Sequence, residues 1–338
     1  MHNLYPLKFN SIYKEKIWAG HRLRTLFGRD VSADKKIGES WEIADHGKDT
    51  TTIKNGPLAG KTLHDILQSA IRNPQSAGFP LLVKLIDTSE MLSVQVHPDD
   101  VYAQKYEAYG EQGKMEAWYI IHAEPGAKIV YGAIPGTTVD DVKKLLKAGR
   151  VEECLNFITV KAGDVIFIPP GMIHAIGAGI LLLEVSQNSD VTYRLFDWNR
   201  LGEDGMPRPL HIKKALDVLN CQPPPSPPPS RGRIRERGAQ STIKREHLLD
   251  CPKFSLELLQ FEKYIVVNPP SFGRKEVNNA DNFHILSVIE GEGSLQYGED
   301  KRDFVNFSKG ESILVPASLK SYGIQPSKMC KIIKTSVP

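Results

Sequence analysis

Apolar positions in this chain come in short runs rather than at helical spacing. The runs at 80–86, 91–96, 117–121 and 165–168 are bounded by Gly, Pro, Asp or Asn, so each predicts a short β-strand. Helical periodicity is rarer. It predicts helices over 62–71 and over 211–219. A third is predicted over 139–155, where Val142, Leu145, Leu146 and Leu155 fall near one face. The mixture reads as mainly β with helical insertions, not as alternating βα units.

Two stretches look like diverged copies. Phe157, Gly163 and Pro169 in FITVKAGDVIFIP have the spacing of Phe304, Gly310 and Pro316 in FVNFSKGESILVP. Upstream, WYII at 118–121 leads to Gly132 as HILS at 284–287 leads to Gly298. Short strands repeated around glycine turns predict two jelly-roll β-barrels in one chain. Between the copies lies QPPPSPPPSRGRIRERG, first stiff and Pro-rich, then solvated by Arg231, Arg233, Arg235 and Arg237. The expected organisation is a first domain at 1–220, a linker at 221–240 and a second domain at 241–338.

Composition narrows the class. A length of 338 residues suits two domains, and a formal net charge of +3 lacks the basic excess of a dedicated nucleic-acid binder. Cys154, Cys221, Cys251 and Cys330 form no CxxC pair, which argues against a thiolate zinc site and against a disulfide framework. The opening residues carry no signal-like apolar stretch, and the apolar run around 180–183 is too short for a bilayer. The expectation is a cytoplasmic protein with neither a membrane nor a nucleic-acid partner.

Candidate chemistry concentrates in the first copy. In GDVIFIPPGMIH a Pro169-Pro170-Gly171 turn presents His174. In SVQVH, Ser93, Gln95 and His97 alternate with Val94 and Val96, so strand geometry places the polar three on one face. Buried there, they need partners, and a cation is a good one. Lys114 and Glu116, two residues apart, aim together by the same period. Two imidazoles, a carboxylate and an amide oxygen make a zinc shell of His97, Glu116, His174 and Gln95, with Gln95 either a ligand or behind one. The second copy has Ser321 where the spacing calls for histidine, and that half has no Gln-x-His string. One Zn2+ per chain is expected, with a metal-free second barrel.

The histidine turn resembles the second sequence motif of cupins. Longer strings go further: PLKFNSIYKEKIWAG, GESWEIADH, SVQVHPDD, GKMEAWY, PPGMIHAI, LEVSQNSDVTYRLFDWNR and LHIKKALDVLN together make nearly the whole chain similar to the short bacterial type I phosphomannose isomerases. The resemblance implies two cupin barrels and a zinc ion held at Gln95, His97, Glu116 and His174. It also implies a pocket using Ser93, Lys114, Glu184, Asp190 and Arg194. Two features depart from the pattern: the Pro-rich stretch at 223–229, and Ile176, where longer eukaryotic members carry tyrosine.

The implied reaction interconverts mannose 6-phosphate and fructose 6-phosphate through a cis-enediol. The partner is therefore a small phosphosugar. Glu184 and a hydroxide on the metal are both candidates for the base; Lys114 and Arg194 would hold sugar, phosphate or developing charge. A purely structural alternative makes Glu184, Asp190 and Arg194 a local ion-pair network. At the level of function the alternatives are a non-catalytic or regulatory sugar-binding cupin, or another metal-dependent cupin enzyme.

Overall fold

A computed structural model describes residues 4–70, 78–202, 205–222, 243–267, 283–298, 302–319 and 321–338. They divide into two units. One comprises Ser11–Thr51 and Leu63–Ser226, the other Met1–Asn10, Thr52–Thr62 and Pro227–Pro338.

The first of these is built on two large antiparallel sheets, with a two-stranded one formed by Asp45–His46 and Asp49–Thr50. One has the order Val165–Ile168, Glu116–Ala123, Ile180–Gln187, Leu81–Asp87, Ile37–Ile43, Ile12–Glu15. The other runs Leu155–Thr159, Lys128–Ala133, His174–Ala175, Val94–Val96, Tyr193–Phe196. One apolar cluster takes Trp118, Ile120, Ile168 and Leu182 from the first sheet and Ile129 from the second. Ile176 joins this cluster as a core residue.

The other unit repeats the arrangement. Its larger sheet places His284–Glu290 between Ser312–Val315 and Cys330–Ser336, as Glu116–Ala123 lies between Val165–Ile168 and Ile180–Gln187. Its smaller sheet runs Asp303–Ser308, Glu292–Tyr297, Tyr322–Pro326, Ile265–Val267. The paired glycines of the copies share a backbone state that favours glycine, with φ of 93° at Gly163 and 88° at Gly310. The fold is mainly β and cupin-type, as the repeat in the sequence predicts.

Leu7–Asn10 pairs with Ser312–Val315 and with Thr52–Ile53, so two N-terminal segments complete the sheet of the second unit. A linear division at 221–240 does not provide for this exchange. From residue 223 onward, the expected linker lies outside the described residues.

Local differences have local causes. The helix expected over 139–155 runs only from Val139 to Lys147, opened by a Thr138–Asp141 capping box. Gly149 follows at φ 68°, a short 3₁₀ turn spans Val151–Cys154, and Leu155 starts a strand instead of continuing a helix face. The strand expected from 91 begins at Val94, because the carbonyls of Met91 and Leu92 accept from Arg200 and Trp198 side chains instead. The other two expected helices are Leu63–Ala70 and Ile212–Val218, and Arg22–Thr25 and Asp100–Tyr106 are helical as well.

Candidate active site

Three elements bring the histidines and Glu116 together. Glu116 opens its strand opposite Ile168 and Ser186. His97 follows the Val94–Val96 strand, whose valines are fully buried. His174 stands directly opposite Gln95, and Gln95 directly opposite Arg194. Opposed residues of antiparallel strands share a face, so His174, Gln95 and Arg194 form a row. The turn before His174 is tied to the other histidine: Gly171 N–H donates to the His97 carbonyl at 2.8 Å. Gly171 has φ 82°, and a Cβ there would meet the Val218 carbonyl oxygen at 2.8 Å, so glycine is required on both counts.

His97 Nε2 lies 3.5 Å from Glu116 Oε2, and His174 Nε2 lies 3.4 Å from Glu116 Oε1. His97 Nδ1 donates to the Val191 carbonyl at 2.8 Å and His174 Nδ1 to that of Met172 at 2.9 Å. A carbonyl can only accept, so each Nδ1 carries the proton and each Nε2 keeps a lone pair facing the carboxylate. His97 Nε2 and Glu116 Oε1 are sealed from solvent without a hydrogen-bond partner. Leaving such groups unmet costs about 1–3 kcal/mol each, a cost that a cation between them removes. Among the described residues this is the one cluster of metal-ligating side chains, its ligand atoms all within 4.8 Å of one another. The Gln95 amide nitrogen lies 3.2 Å from His174 Nε2, and a half-turn of that amide presents oxygen to the cluster.

Charge around the cluster is unbalanced in the same sense. The buried Lys114 ammonium lies 2.7 Å from Glu116 and 3.0 Å from Glu184, one cation shared by two carboxylates. Burial opposes ionisation of Glu116, but Lys114 and then His97 outweigh it and hold this carboxyl well below its usual range. Burial and the Glu116 charge push Glu184 up, more than Lys114 pulls it down. For Lys114, burial is overcome by Glu116 and Glu184, and its pKa is raised. Burial, with His97 beside it, lowers His174 to about 3, so this imidazole is a neutral donor at pH 7.

The remaining expected residues have separate partners. Asp190 pairs with Lys84 at 2.7 Å, while Arg194 Nη1 donates to the Pro209 carbonyl at 2.8 Å. Glu184, Asp190 and Arg194 therefore do not bond to one another: the two carboxylates pair with Lys114 and Lys84, and Arg194 reaches neither. Ser93 is buried immediately before the Val94–Val96 strand. Lys84 is the residue that sequence reasoning missed. It is buried in the middle of the Leu81–Asp87 strand with apolar residues on both sides, stands opposite Glu184 and Trp41, and lies 4.3 Å from the centre of the Trp41 ring. A lone lysine inside PLLVKLI was the available signal.

Comparison with known proteins agrees with this architecture. Residues 6–116 match the family described as phosphomannose isomerase type I, catalytic domain, and residues 271–337 match the mannose-6-phosphate isomerase cupin domain. Mannose-6-phosphate isomerase of Streptococcus mutans is 34% identical over 320 residues, 94% of each chain. ManA, a mannose-6-phosphate isomerase of Bacillus subtilis, is 35% identical over 328 residues, 96% of this chain and 97% of that one. A crystal structure of the mannose 6-phosphate isomerase from Bacillus subtilis superposes with a TM-score of 0.84 at 32% identity, covering 98% of this chain and 99% of its own. Similarity of this extent, along nearly the whole chain and in the fold, makes the protein a member of the type I phosphomannose isomerase family, and an isomerase.

Proposed function

We propose that the chain interconverts mannose 6-phosphate and fructose 6-phosphate through a cis-enediol, with one zinc ion held by His97, Glu116, His174 and Gln95. The observation that carries this reading is the buried convergence of two imidazole lone pairs on one carboxylate, in a chain of this family. When bound there, a divalent cation supplies Lewis-acid polarisation of the sugar oxygens on which charge develops.

The chain's own groups do the rest. Glu184 is assigned the proton that moves between C1 and C2, because its raised pKa suits a carboxyl that must both accept and return a proton. Lys114, fixed between two carboxylates and always charged, donates to a sugar oxygen. Arg194 holds developing or phosphate charge. Ser93 is assigned to a sugar hydroxyl. Asp190 acts on the substrate through Lys84, whose ammonium it orients. All four cysteines are free thiols, which suits the reducing cytoplasm, the compartment we assign. No helix among the described residues is long and apolar enough to cross a membrane.

The test is a coupled isomerase assay on chelator-stripped and zinc-restored protein, with elemental analysis of the restored sample. Activity should vanish and return with about one equivalent of metal per chain, from the single-site argument. Full activity after stripping, or an ion bound only by residues beyond 240, would overturn the reading.

A further inference from the structure

The second barrel changes character along its length. Leu259, Phe261, Cys330 and Ile332 belong to its apolar interior. Side chains two residues apart on a strand share a face, so Glu257 and Lys334, which stand opposite each other, face the same interior. Two residues further along, Ser255 and Ser336 do so too, with His284 opposite Ser336. One end of the barrel is thus closed by Ile243, Phe261 and Cys330, while the other is lined by hydroxyl, imidazole and charged groups.

Most of these polar groups are paired. Ser255 Oγ and Ser336 Oγ share a hydrogen bond of 2.8 Å, and Lys334 Nζ lies 2.7 Å from Glu257. The buried His284 and Tyr322 share a hydrogen bond of 2.9 Å. Arg245 is the exception. It stands opposite Leu259 and two residues from Ile243, which packs against the apolar cluster, so it too faces inward. Its Nε is sealed from solvent without a hydrogen-bond partner, and its Nη2 makes one long contact, 3.4 Å to the Val266 carbonyl. Glu246, Asp250 and Glu257, on its own strand and the next, pair instead with Lys244, His247 and Lys334. Ile243–Asp250 and Ile265–Val267 are end strands of the two sheets, so Arg245 crosses the seam between them. The charges act on the same two rings. Burial raises the pKa of Tyr322, with Glu257 adding to the rise and Arg245 opposing it. Burial, and next Lys334, lower that of His284 to about 3.

We propose that the polar end of the second barrel is a binding site for a small polyhydroxylated anion. Arg245 takes the carboxylate or phosphate group of this ligand, and Glu257, Tyr322 and the serine pair take its hydroxyls. A barrel end that served only packing could be closed as the opposite one is. Instead it holds an ion pair that apolar side chains of similar volume commonly match in stability, and beside that pair a guanidinium with an unmet donor. A guanidinium fork matches oxyanions through several charge-assisted hydrogen bonds at once. Lys334 and Glu257 are 14% and 22% exposed, so a solute reaches them from water. All of these residues belong to the second unit, and the proposal does not depend on the activity assigned to the first.

The experiment uses the full-length, zinc-loaded protein and follows backbone hydrogen exchange by mass spectrometry. Wild type and Arg245→Gln are titrated with sodium gluconate, sodium phosphate and glucose, with sodium chloride at matched ionic strength as the control. Ile243–Asp250 has a partner strand on one side only, so its outer amides respond when a ligand orders them. Gluconate or phosphate should slow exchange in peptides spanning 243–250 and 322–326, and glucose and chloride should not. Stronger slowing by phosphate identifies a phosphorylated ligand and stronger slowing by gluconate a carboxylate; either supports the site. Arg245→Gln should raise the anion concentration needed by about tenfold or more, through loss of a charge-assisted contact. Slowing confined to peptides of the first unit would overturn the proposal. So would equal slowing by chloride, or slowing at the same anion concentrations in folded Arg245→Gln. If Arg245→Gln does not fold, the wild-type titration decides by itself: slowing in 243–250 by an anion but not by chloride upholds the site, and no slowing there by either anion refutes it.

Discussion

Replacing Lys114 by methionine tests the electrostatics of the site most directly. The side chain is 4% exposed and lies between carboxylates that are 1% and 4% exposed. Methionine fills much of the same space, so the change is chiefly the loss of one buried charge. Breaking a buried ion pair by removing one partner costs about 3–5 kcal/mol, because the other partner is left uncompensated. Here two carboxylates are left. Glu184 already has a raised pKa, and without Lys114 it rises further, so part of the penalty is relieved by proton uptake. A loss of about 3 kcal/mol in metal-free protein is the expected size at neutral pH.

The pH dependence has a definite sign. A carboxyl whose folded pKa is raised contributes stability that is fully present below its unfolded value, about 4.3, and lost as pH rises through the folded value. The gap between Lys114→Met and wild type should therefore widen from about pH 5 to about pH 8. Saturating zinc should narrow it, since a divalent cation restores the missing positive charge, yet isomerase activity should not return. Urea unfolding of chelator-treated and zinc-loaded protein at both pH values measures all of this. A metal-free variant within about 0.5 kcal/mol of wild type at both pH values would show that Lys114 does not balance the carboxylates.

Other expectations follow from single features of the site. His174 is held at about 3 in the fold, against 6.5 when free, so metal-free protein should lose up to about 4–5 kcal/mol as pH falls through that window. His174→Asn should flatten this slope in denaturant unfolding, and an unchanged slope would place the acid sensitivity elsewhere. Glu184→Gln should lower kcat by about 10²–10⁴ with zinc content intact, and near-normal turnover would assign the proton to another group. Gly171→Ala should cost about 1–3 kcal/mol in thermal unfolding and weaken zinc binding, through its positive φ and the Val218 carbonyl. Wild-type values for both would mean that the turn does not position His174.

Legibility in the sequence followed the range of the information. Gln95 and His97, two residues apart, and the Pro-Gly turn before His174 are local features, and strand period and turn chemistry suffice to read them. Lys84 was not legible, because its meaning depends on Glu184, Trp41 and Asp190, which reach it from separate segments. Asp190 and Arg194 show the converse case. They are near in sequence and look like one group, but Asp190 precedes the strand and turns to Lys84, while Arg194 lies within it and reaches Pro209. The end of the helix at 147 was readable from Gly149, yet Leu155 completed an apolar face and extended the prediction across it.

Comparing the two barrels shows what turns this backbone into a site. Their strand order and glycine turns correspond, so the fold alone does not specify chemistry. In the second unit the interior is filled by Leu259, Phe261, Leu286, Val288, Leu295, Ile313 and Ile332. The buried His284 there stands opposite Val315 and shares a hydrogen bond of 2.9 Å with the Tyr322 hydroxyl. It belongs to no ligand cluster among the described residues. Burial lowers its pKa to about 3, much as it does for His174. A neutral buried imidazole is thus common to both barrels. The first barrel differs in turning a second imidazole and a carboxylate toward it, while Val191 and Met172 carbonyls bind the Nδ1 protons and leave both Nε2 atoms available.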